Sequence, residues 1–375
     1  MTREEYRTTA MDVVYLAACA VHGTVPDGER VQAMNLDLLY QVASRHLLTA
    51  ITAMVLESAG VKDERFTQDK GKAIRKVILM DLERKAVLEK LDEAGIWYMP
   101  LKGSVLKELY PRVGMRQMAD NDILYDASRS EDVREIMESL GFTTVMYVKN
   151  QYNHDHYDKE PVCNFEMHRA LFPPSAPEKL FLYYLNVRDR LVKDEGNGFG
   201  YHFTDEDFYL YMIAHEYKHY SGGGTGLRSL LDTYLYLNKY GETLNWDYLS
   251  GELEQLGLTE YEQQNRTMAL DLFQKKPLSD EEREMLDYIL SSGTYGTVEN
   301  RVKNQIQFYG GGVVGKIRYC FRRVFLPMDS VQSAFPLFYR HKIFLPLLPF
   351  YRMGRGLLYC RSALRAELKQ LRRNQ

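Results

Sequence analysis

Along residues 1–94, apolar side chains recur every three or four positions, and strand-like alternation is nearly absent. This spacing places apolar side chains on one face of an α-helix. The two clearest apolar faces comprise Leu38, Leu39, Val42, Leu47, Leu48, Ile51 and Val55, and then Ile74, Val77, Ile78, Leu82, Val87 and Leu91. The pattern predicts a helical N-terminal region.

The pattern changes at Gly95, where a glycine suited to ending a helix is followed by the β-rich run Ile96–Met99 and then Pro100. Asp120–Tyr125 has the composition of a second strand, and Ser130–Leu140 has that of a helix. Two more strands, predicted to pair around a polar loop, are Phe142–Val148 and Val162–His168. The order strand, helix, strand, helix, strand, strand predicts a small mixed sheet.

Beyond residue 174 the helical pattern returns. The predicted helices there include Glu206–Tyr220, Leu227–Tyr240, Trp246–Leu256 and Asp280–Ser291. Together these patterns predict an α+β fold, in which a small mixed-sheet core is flanked by helical regions. We expect four regions, namely N-terminal helices over 1–94, the sheet core over 95–174, a helical domain over 175–305, and a basic, proline-containing tail over 306–375.

Length and composition are those of a folded chain with more than one core, because 45% of the 375 residues are hydrophobic and 26% are charged. The four cysteines are scattered and form no CxxC pair, which predicts buried thiols in a reducing compartment. No apolar run reaches the about 18 residues that predict a membrane-spanning helix. We therefore expect a cytoplasmic protein without a transmembrane segment.

Basic residues are concentrated at the C-terminal end. From Val313 to Gln375, thirteen Lys and Arg residues stand against two acids, although the net charge of the chain is only -3. Aromatic and aliphatic residues are interleaved with them. The tail therefore suits packing against the acidic remainder of the chain, contact with an anionic membrane surface, or contact with an acidic partner protein. Nucleic acid is the least favoured partner, since the core shows no basic face.

Two aspartates in the second predicted strand are candidate metal ligands. Asp120 and Asp122 are separated by one residue, so both side chains point to the same face of a strand. Glu166, on a later strand, can add the third carboxylate of a two-metal site for phosphoryl chemistry. The plainer interpretation of such a pair is a solvated strand end.

Small residues precede these carboxylates. Gly103 and Ser104 follow the first predicted strand, where free backbone N–H groups can approach a triphosphate, and Lys102 can neutralise phosphate charge. The alternative interpretation is that Gly103 permits a tight turn and Ser104 caps a helix.

In sequence, these stretches resemble an uncharacterised bacterial nucleotidyltransferase-like family of the DNA polymerase β-like superfamily. That family reads LKG, then YP, then GxRxMxDxDIL, and later ExH on a strand. The corresponding stretches here are Leu101–Gly103, Tyr110–Pro111, Gly114–Leu124 and Glu166–His168. The resemblance extends to His215–Asp232 and to the proline-containing basic tail, so it spans most of the chain.

The resemblance implies a polymerase β-like core in which Gly103 and Ser104 form the phosphate-binding turn. It implies that the three carboxylates are catalytic and hold Mg²⁺ or Mn²⁺, and that Lys102 and Arg116 contact the nucleotide. The implied reaction transfers a nucleoside monophosphate from an NTP to a hydroxyl acceptor on a small molecule or a protein. The alternative is a catalytically inactive nucleotide-binding or scaffold protein of the same fold.

A competing metal motif lies in the helical region. His215–His219 reads H-E-x-x-H, in which two histidines one helical turn apart can bind zinc and Glu216 can act as a base. Thr225 stands where a metzincin has its third histidine, which disfavours a zinc metallopeptidase. The other interpretations are that His215 and His219, with His168, line the nucleotide or acceptor cleft, or that they pack the helix against the core.

A second polar cluster, His154, Asp155, His156 and Asp158, falls between the last two predicted strands. We expect a solvated hairpin loop there, with an additional metal site or an acceptor-binding lip as the alternatives.

Overall fold

The structure is a computed structural model that describes residues 2–146, 154–174, 176–196, 198–359 and 361–372. The helices are α1 (Arg3–His22), α2 (Gly28–Ala33), α3 (Leu36–Arg45), α4 (Thr49–Ser58), α5 (Glu64–Glu93), α6 (Gly103–Leu106), α7 (Ser130–Ser139), α8 (Glu178–Tyr183), α9 (Asp205–Gly222), α10 (Leu227–Tyr240), α11 (Trp246–Leu256), α12 (Thr259–Phe273), α13 (Asp280–Ser292), α14 (Val298–Phe308), α15 (Gly312–Val324), α16 (Met328–Ala334), α17 (Pro336–Arg340), α18 (Leu348–Tyr359) and α19 (Arg361–Arg372). The strands are β1 (Tyr98–Pro100), β2 (Asn121–Tyr125), β3 (Thr143–Met146), β4 (His154–Lys159), β5 (Cys163–His168), β6 (Val192–Lys193) and β7 (Tyr201–His202). The predicted α+β fold with helical flanks is confirmed.

Five strands form one mixed sheet in the order β1-β2-β5-β4-β3. The central pair, β2 and β5, is parallel, and the other neighbours are antiparallel. A parallel pair needs a long crossover connection, which here contains α7, β3 and β4. This mixed sheet is consistent with a nucleotidyltransferase core, and it brings the ends of β2 and β5 side by side.

The polar segment predicted to be a hairpin loop is instead strand β4, so that prediction was wrong. Strand β4 lies between β3 and β5, and the two strands expected to pair with each other both pair with it. Side chains alternate along β4, because Asp155 and Tyr157 are buried while His154 and His156 are only partly buried on the other face. Asp155 is tolerated inside because Arg169 forms an ion pair with it. The last two residues of the predicted third strand, 147 and 148, lie outside the described residues.

One face of the sheet is apolar and packs against α5 and α7. Residues two apart on a strand share a face, so Ile123 and Tyr125 of β2 join Phe165 and Met167 of β5 in this core. The helices contribute Val77, Met80, Val87, Leu91, Val133 and Met137. Burying each such side chain stabilises the fold by about 1.5–3 kcal/mol. This packing fixes which side chains of β2, β4 and β5 face the other way.

The helical predictions for the second half agree with the structure. Helices α10 and α11 have the predicted ends, and α9 and α13 differ from prediction by one or two residues. Helix α11 illustrates the reason, because residues that favour helix ends flank it in the sequence. The Asn245 side chain accepts a hydrogen bond from Tyr248 N–H at the start, and Gly257 ends the helix with a left-handed φ of 68°.

The chain forms two compact units, Met1–Lys218 with Gly226–Thr294, and His219–Thr225 with Tyr295–Gln375. The first contains the five-stranded sheet. The second has a small core of Val302, Ile306 and Tyr319. Within it, the Glu367 carboxylate accepts hydrogen bonds from Arg323 and from Tyr319, so one of the few acids of the tail is buried in an ion pair. The four-region division of the chain stays a prediction.

Helices long and apolar enough to cross a bilayer are absent from the described part of the chain. Cys19 and Cys163 are buried free thiols, as predicted, whereas Cys320 is exposed, which contradicts the expectation of burial. Cys360 lies outside the described residues.

Candidate functional site

Two of the three predicted carboxylates are neighbours across the parallel strand pair. Asp122 of β2 lies in register with Glu166 of β5, and both side chains project from the face opposite the α5–α7 core. Asp120 comes directly before β2, close enough for both carboxylates to repel its charge. The structure therefore brings Asp120, Asp122 and Glu166 together.

Asp122 is the most enclosed of the three and is held from two sides. Its Oδ1 atom lies 2.9 Å from Lys102 Nζ and 2.8 Å from His168 Nε2. Burial alone would raise the pKa of Asp122, but Lys102 and His168 outweigh it and hold that pKa well below its usual range. Burial also opposes the charge on Lys102, and attraction to Asp122 nevertheless raises the Lys102 pKa. Asp122 is therefore ionised at neutral pH.

Asp120 has the opposite electrostatic character. Burial and then repulsion from Asp122 and Glu166 raise the pKa of Asp120 to about 6. Burial also tends to raise the pKa of Glu166, but the hydrogen bond with His168 holds this pKa below its usual value. The negative charges of these three carboxylates repel each other, so a bound cation would stabilise the ionised cluster.

The predicted phosphate-binding turn lies between β1 and α6. Lys102 has a φ of 44°, a left-handed conformation rare for a residue with a side chain, and its ammonium group reaches back to Asp122. The Ser104 hydroxyl donates to the Leu101 carbonyl at 2.8 Å. A Cβ atom at Gly103 would stand 2.6 Å from Arg116 Nη1, so this glycine is needed for close packing. The part that Gly103 and Ser104 play with phosphate stays a prediction.

Arg116 is buried and forms a bidentate ion pair. Its Nε and Nη2 atoms lie 2.9 and 2.8 Å from the two carboxylate oxygens of Asp232, and the Tyr110 hydroxyl donates to the same carboxylate. The geometry supports a structural role, in which Arg116 joins the loop before β2 to helix α10. A triphosphate contact by Arg116 stays a prediction.

His154 belongs to this site, although it was predicted to lie in a solvated loop. It faces His168 across the β4–β5 pair, with the two rings 4.9 Å apart, and its Nε2 lies 3.7 Å from Glu166 Oε2. Burial and the neighbouring His168 lower the pKa of His154 to about 4, so its ring is neutral at neutral pH. The alternation of side chains along residues 154–159 was the sequence signal that could have predicted strand β4 and the position of His154.

Helix α9 supplies two side chains that sequence reasoning missed. Tyr211 and Lys218 lie near the Lys102–Asp122 pair, since each interacts electrostatically with both residues. Burial and then Lys102 lower the pKa of Lys218 to about 8, so most of it is charged at pH 7. Tyr211 and Lys218 share a helix face with His215, whose ring centroid lies 6.0 Å from that of Tyr211.

The H-E-x-x-H motif does not have the geometry of a zinc peptidase. Glu216 is buried, with its Oε2 accepting a hydrogen bond from Asn265 and lying 3.4 Å from the Thr233 hydroxyl. Burial raises the pKa of Glu216 to about 8, so its carboxyl group is mostly protonated at neutral pH and is occupied with partners inside the helical core. Among the described residues, no group of three metal-ligating side chains includes His215 or His219. A cleft role for either histidine stays a prediction.

Comparison with known proteins identifies the family of the chain. The sequence pattern of a family described as uncharacterised nucleotidyltransferase matches residues 32–274, well over half of the chain and all of the sheet. Searches of curated proteins and of solved structures found no match. The matched range contains every residue of the carboxylate site, and because the match covers more than half of the chain, the chain belongs to the uncharacterised nucleotidyltransferase family.

Proposed function

We propose that this protein transfers a nucleoside monophosphate from an NTP to a hydroxyl group of a small molecule or a protein. The observation that carries the proposal is the parallel pairing of β2 with β5, which aligns Asp122 with Glu166 beside Asp120. Family membership supports a nucleotidyltransferase, and the convergence of three carboxylates supports this face of the sheet as its site.

The donor set fits Mg²⁺ or Mn²⁺, because carboxylate oxygens are their preferred protein ligands. In addition, burial and repulsion from Asp122 and Glu166 outweigh the attraction of Lys102 and Arg228 for Asp120, so a cation would stabilise its charge. Asp120, Asp122 and Glu166 would hold the ions, which when bound neutralise phosphate charge and favour loss of the acceptor proton. An ion at Asp122 would bind its Oδ2 or would replace Lys102 or His168 at Oδ1.

The reaction is a substitution at the α-phosphorus. The acceptor oxygen forms a bond to that phosphorus, the bond to the bridging oxygen breaks, and pyrophosphate leaves. Glu166, ionised because His168 lowers its pKa, can accept the hydroxyl proton. Lys102, once released from Asp122, and Lys218 can offset charge on the departing pyrophosphate.

Calorimetric titration of ATP, GTP, CTP and UTP, each with Mg²⁺, tests the proposal. We expect one nucleotide to bind the wild-type chain and to lose binding in Asp120→Asn/Asp122→Asn. Asp158→Asn is the matched control, because Asp158 is a partly exposed carboxylate on the same face of the sheet but outside the carboxylate site. This variant should bind the nucleotide as the wild type does. Binding that survives in the double variant would remove the site assignment.

Pyrophosphate release separates an enzyme from a catalytically inactive scaffold. The assay would supply the bound NTP with mixed hydroxyl acceptors, such as glycerol, free sugars and a serine-containing peptide. Release that disappears in Asp120→Asn/Asp122→Asn supports transfer. Tight binding without release to any acceptor would favour the nucleotide-binding scaffold of the same fold.

The basic tail supports a separate partner proposal. Along α15, Val313, Ile317 and Phe321 are exposed at four-residue spacing on one helix face, and basic residues flank them. An exposed apolar face with basic neighbours suits an anionic membrane surface. Flotation with phosphatidylserine vesicles should carry the protein upward, and Ile317→Ser/Phe321→Ser should not float. Failure of the wild type to float would favour an acidic partner protein.

A further inference from the structure

Three side chains beside the carboxylates form a group with different ligand chemistry. The β4–β5 register sets His154 opposite His168, and Glu166 belongs to the same face of β5 as His168. A nitrogen of each histidine and an oxygen of Glu166 all lie within 4.8 Å of one another. Among the described residues, this is the one such group of three His, Cys, Asp or Glu side chains.

The spacing of the ligand atoms suits a small metal ion. Glu166 Oε2 lies 3.7 Å from His154 Nε2 and 3.5 Å from His168 Nε2. Ligands at about 2.0–2.2 Å from a tetrahedral ion are separated from each other by about 3.4 Å. An ion can therefore be bound with only small movements of side chains, all of which project from adjoining, paired strands.

Hydrogen bonding also leaves this group incompletely satisfied. His168 is only 3% exposed, and its Nδ1 atom has no hydrogen-bond partner in the described part of the chain. Its Nε2 is shared between Asp122 and Glu166. Buried imidazole nitrogens normally have a partner. An ion at Nδ1 would provide that missing partner, whereas an ion at Nε2 would take the place of the contact with Asp122.

We propose that His154, Glu166 and His168 form a binding site for a divalent transition-metal ion of the Mn²⁺, Co²⁺ or Zn²⁺ class. Imidazole nitrogen favours these ions, whereas Mg²⁺ prefers oxygen ligands and gains little from two histidines. Glu166 is common to this site and to the carboxylate site, so the ion would lie beside the proposed nucleotide position. The binding itself does not depend on the proposed transfer reaction.

Titration of metal-free protein with Co²⁺, followed by visible absorption, tests the site directly. We expect one Co²⁺ per chain with a spectrum typical of nitrogen ligation, displacement by one equivalent of Zn²⁺, and no displacement by a large excess of Mg²⁺. His154→Ala should weaken Co²⁺ binding by more than about tenfold. Losing a residue that only supports a metal ligand already costs about tenfold or more in affinity, and losing a ligand itself should cost more. Circular dichroism would establish that the variant is folded, and His154→Gln would replace it if it is not.

His156→Ala is the matched control, because His156 lies on the same face of β4 but outside the group of three. It should bind Co²⁺ as the wild type does. Equal weakening in the two variants, or a wild type that binds no Co²⁺, would overturn the inference. Wild-type protein that binds Mg²⁺ and NTP without binding Co²⁺ would overturn this inference alone, whereas Co²⁺ binding without NTP binding would overturn only the proposed function.

Discussion

The two faces of the five-stranded sheet are built from the same strands but obey different physical demands. On β5, Phe165 and Met167 enter a dry core, while Glu166 and His168, one position away, lie among charges. On the core face the apolar side chains are buried against α5 and α7, and the buried Asp155 is paired with Arg169. The other face holds carboxylates that repel each other, and burial without partners would disfavour their charges. It also holds Lys102, whose backbone φ is strained. Stability is therefore concentrated on one face and chemistry on the other.

The largest expected effect is on the charged face. Asp122→Asn removes the carboxylate that Lys102 and His168 enclose, so pyrophosphate release should fall by about 10⁴-fold, or about 5 kcal/mol of transition-state stabilisation. Initial rates with the preferred NTP would measure it. A variant that keeps a tenth of the wild-type rate would show that the charged face is not where the reaction occurs.

Removing a side chain from the apolar face should instead destabilise the folded protein. Phe165 is fully buried and makes an edge contact with Phe142 at a centroid distance of 5.0 Å. Phe165→Ala should lower the free energy of unfolding by about 3–5 kcal/mol, because it removes transfer free energy and leaves a cavity. Urea unfolding would measure this loss. A change below about 1 kcal/mol would mean that this face is not the packed core.

Asp120→Asn should stabilise the metal-free protein while abolishing NTP binding. Since the pKa of Asp120 rises from 3.8 to about 6 on folding, its contribution to stability is greatest below pH 3.8 and is lost as pH rises through about 6. The free energy of unfolding of the variant should exceed that of the wild type by about 3 kcal/mol at pH 8, with little difference near pH 4. Urea unfolding in EDTA at both pH values would test this. A pH-independent difference would contradict the electrostatic cause.

The smallest effect belongs to the sheet edge, where neither face is deeply buried. Val145 of β3 is 56% exposed. Val145→Thr keeps the branched shape and should change the free energy of unfolding by less than about 0.5 kcal/mol. The same urea titration serves here. A larger loss would indicate that the apolar face extends to the outer strand.

The fold class and the positions of the carboxylates could be predicted from sequence because they depend on local periodicity. Asp120 and Asp122 follow a strand pattern, and Phe165 alternates with Glu166 in another. Strand β4 was missed because its polar composition obscured an alternation that also holds there. From sequence, Asp155 would be expected to face solvent, because its ion pair with Arg169 is seen only in the structure.

Other parts of the site depend on tertiary contacts that no local pattern encodes. Lys218 comes near Asp122 only in the folded chain, because α9 and β2 are far apart in sequence. Its sequence neighbourhood pointed to a zinc motif instead. Arg116 was predicted to contact nucleotide, and its partner Asp232 lies on a helix far along the chain. The sequence showed that both groups are charged but not which charges they meet.

The parallel pairing of β2 with β5 also has a consequence for folding order. The meander β3-β4-β5 joins strands that are close in sequence, whereas Asp122 meets Glu166 only after a whole crossover has closed. Contacts between distant parts of a chain form more slowly than local ones. We therefore expect amide protection in β2 to develop after that of the meander in pulse-labelled hydrogen exchange. A partly folded chain would lack the paired carboxylates, so ligands that require them would select the completed fold.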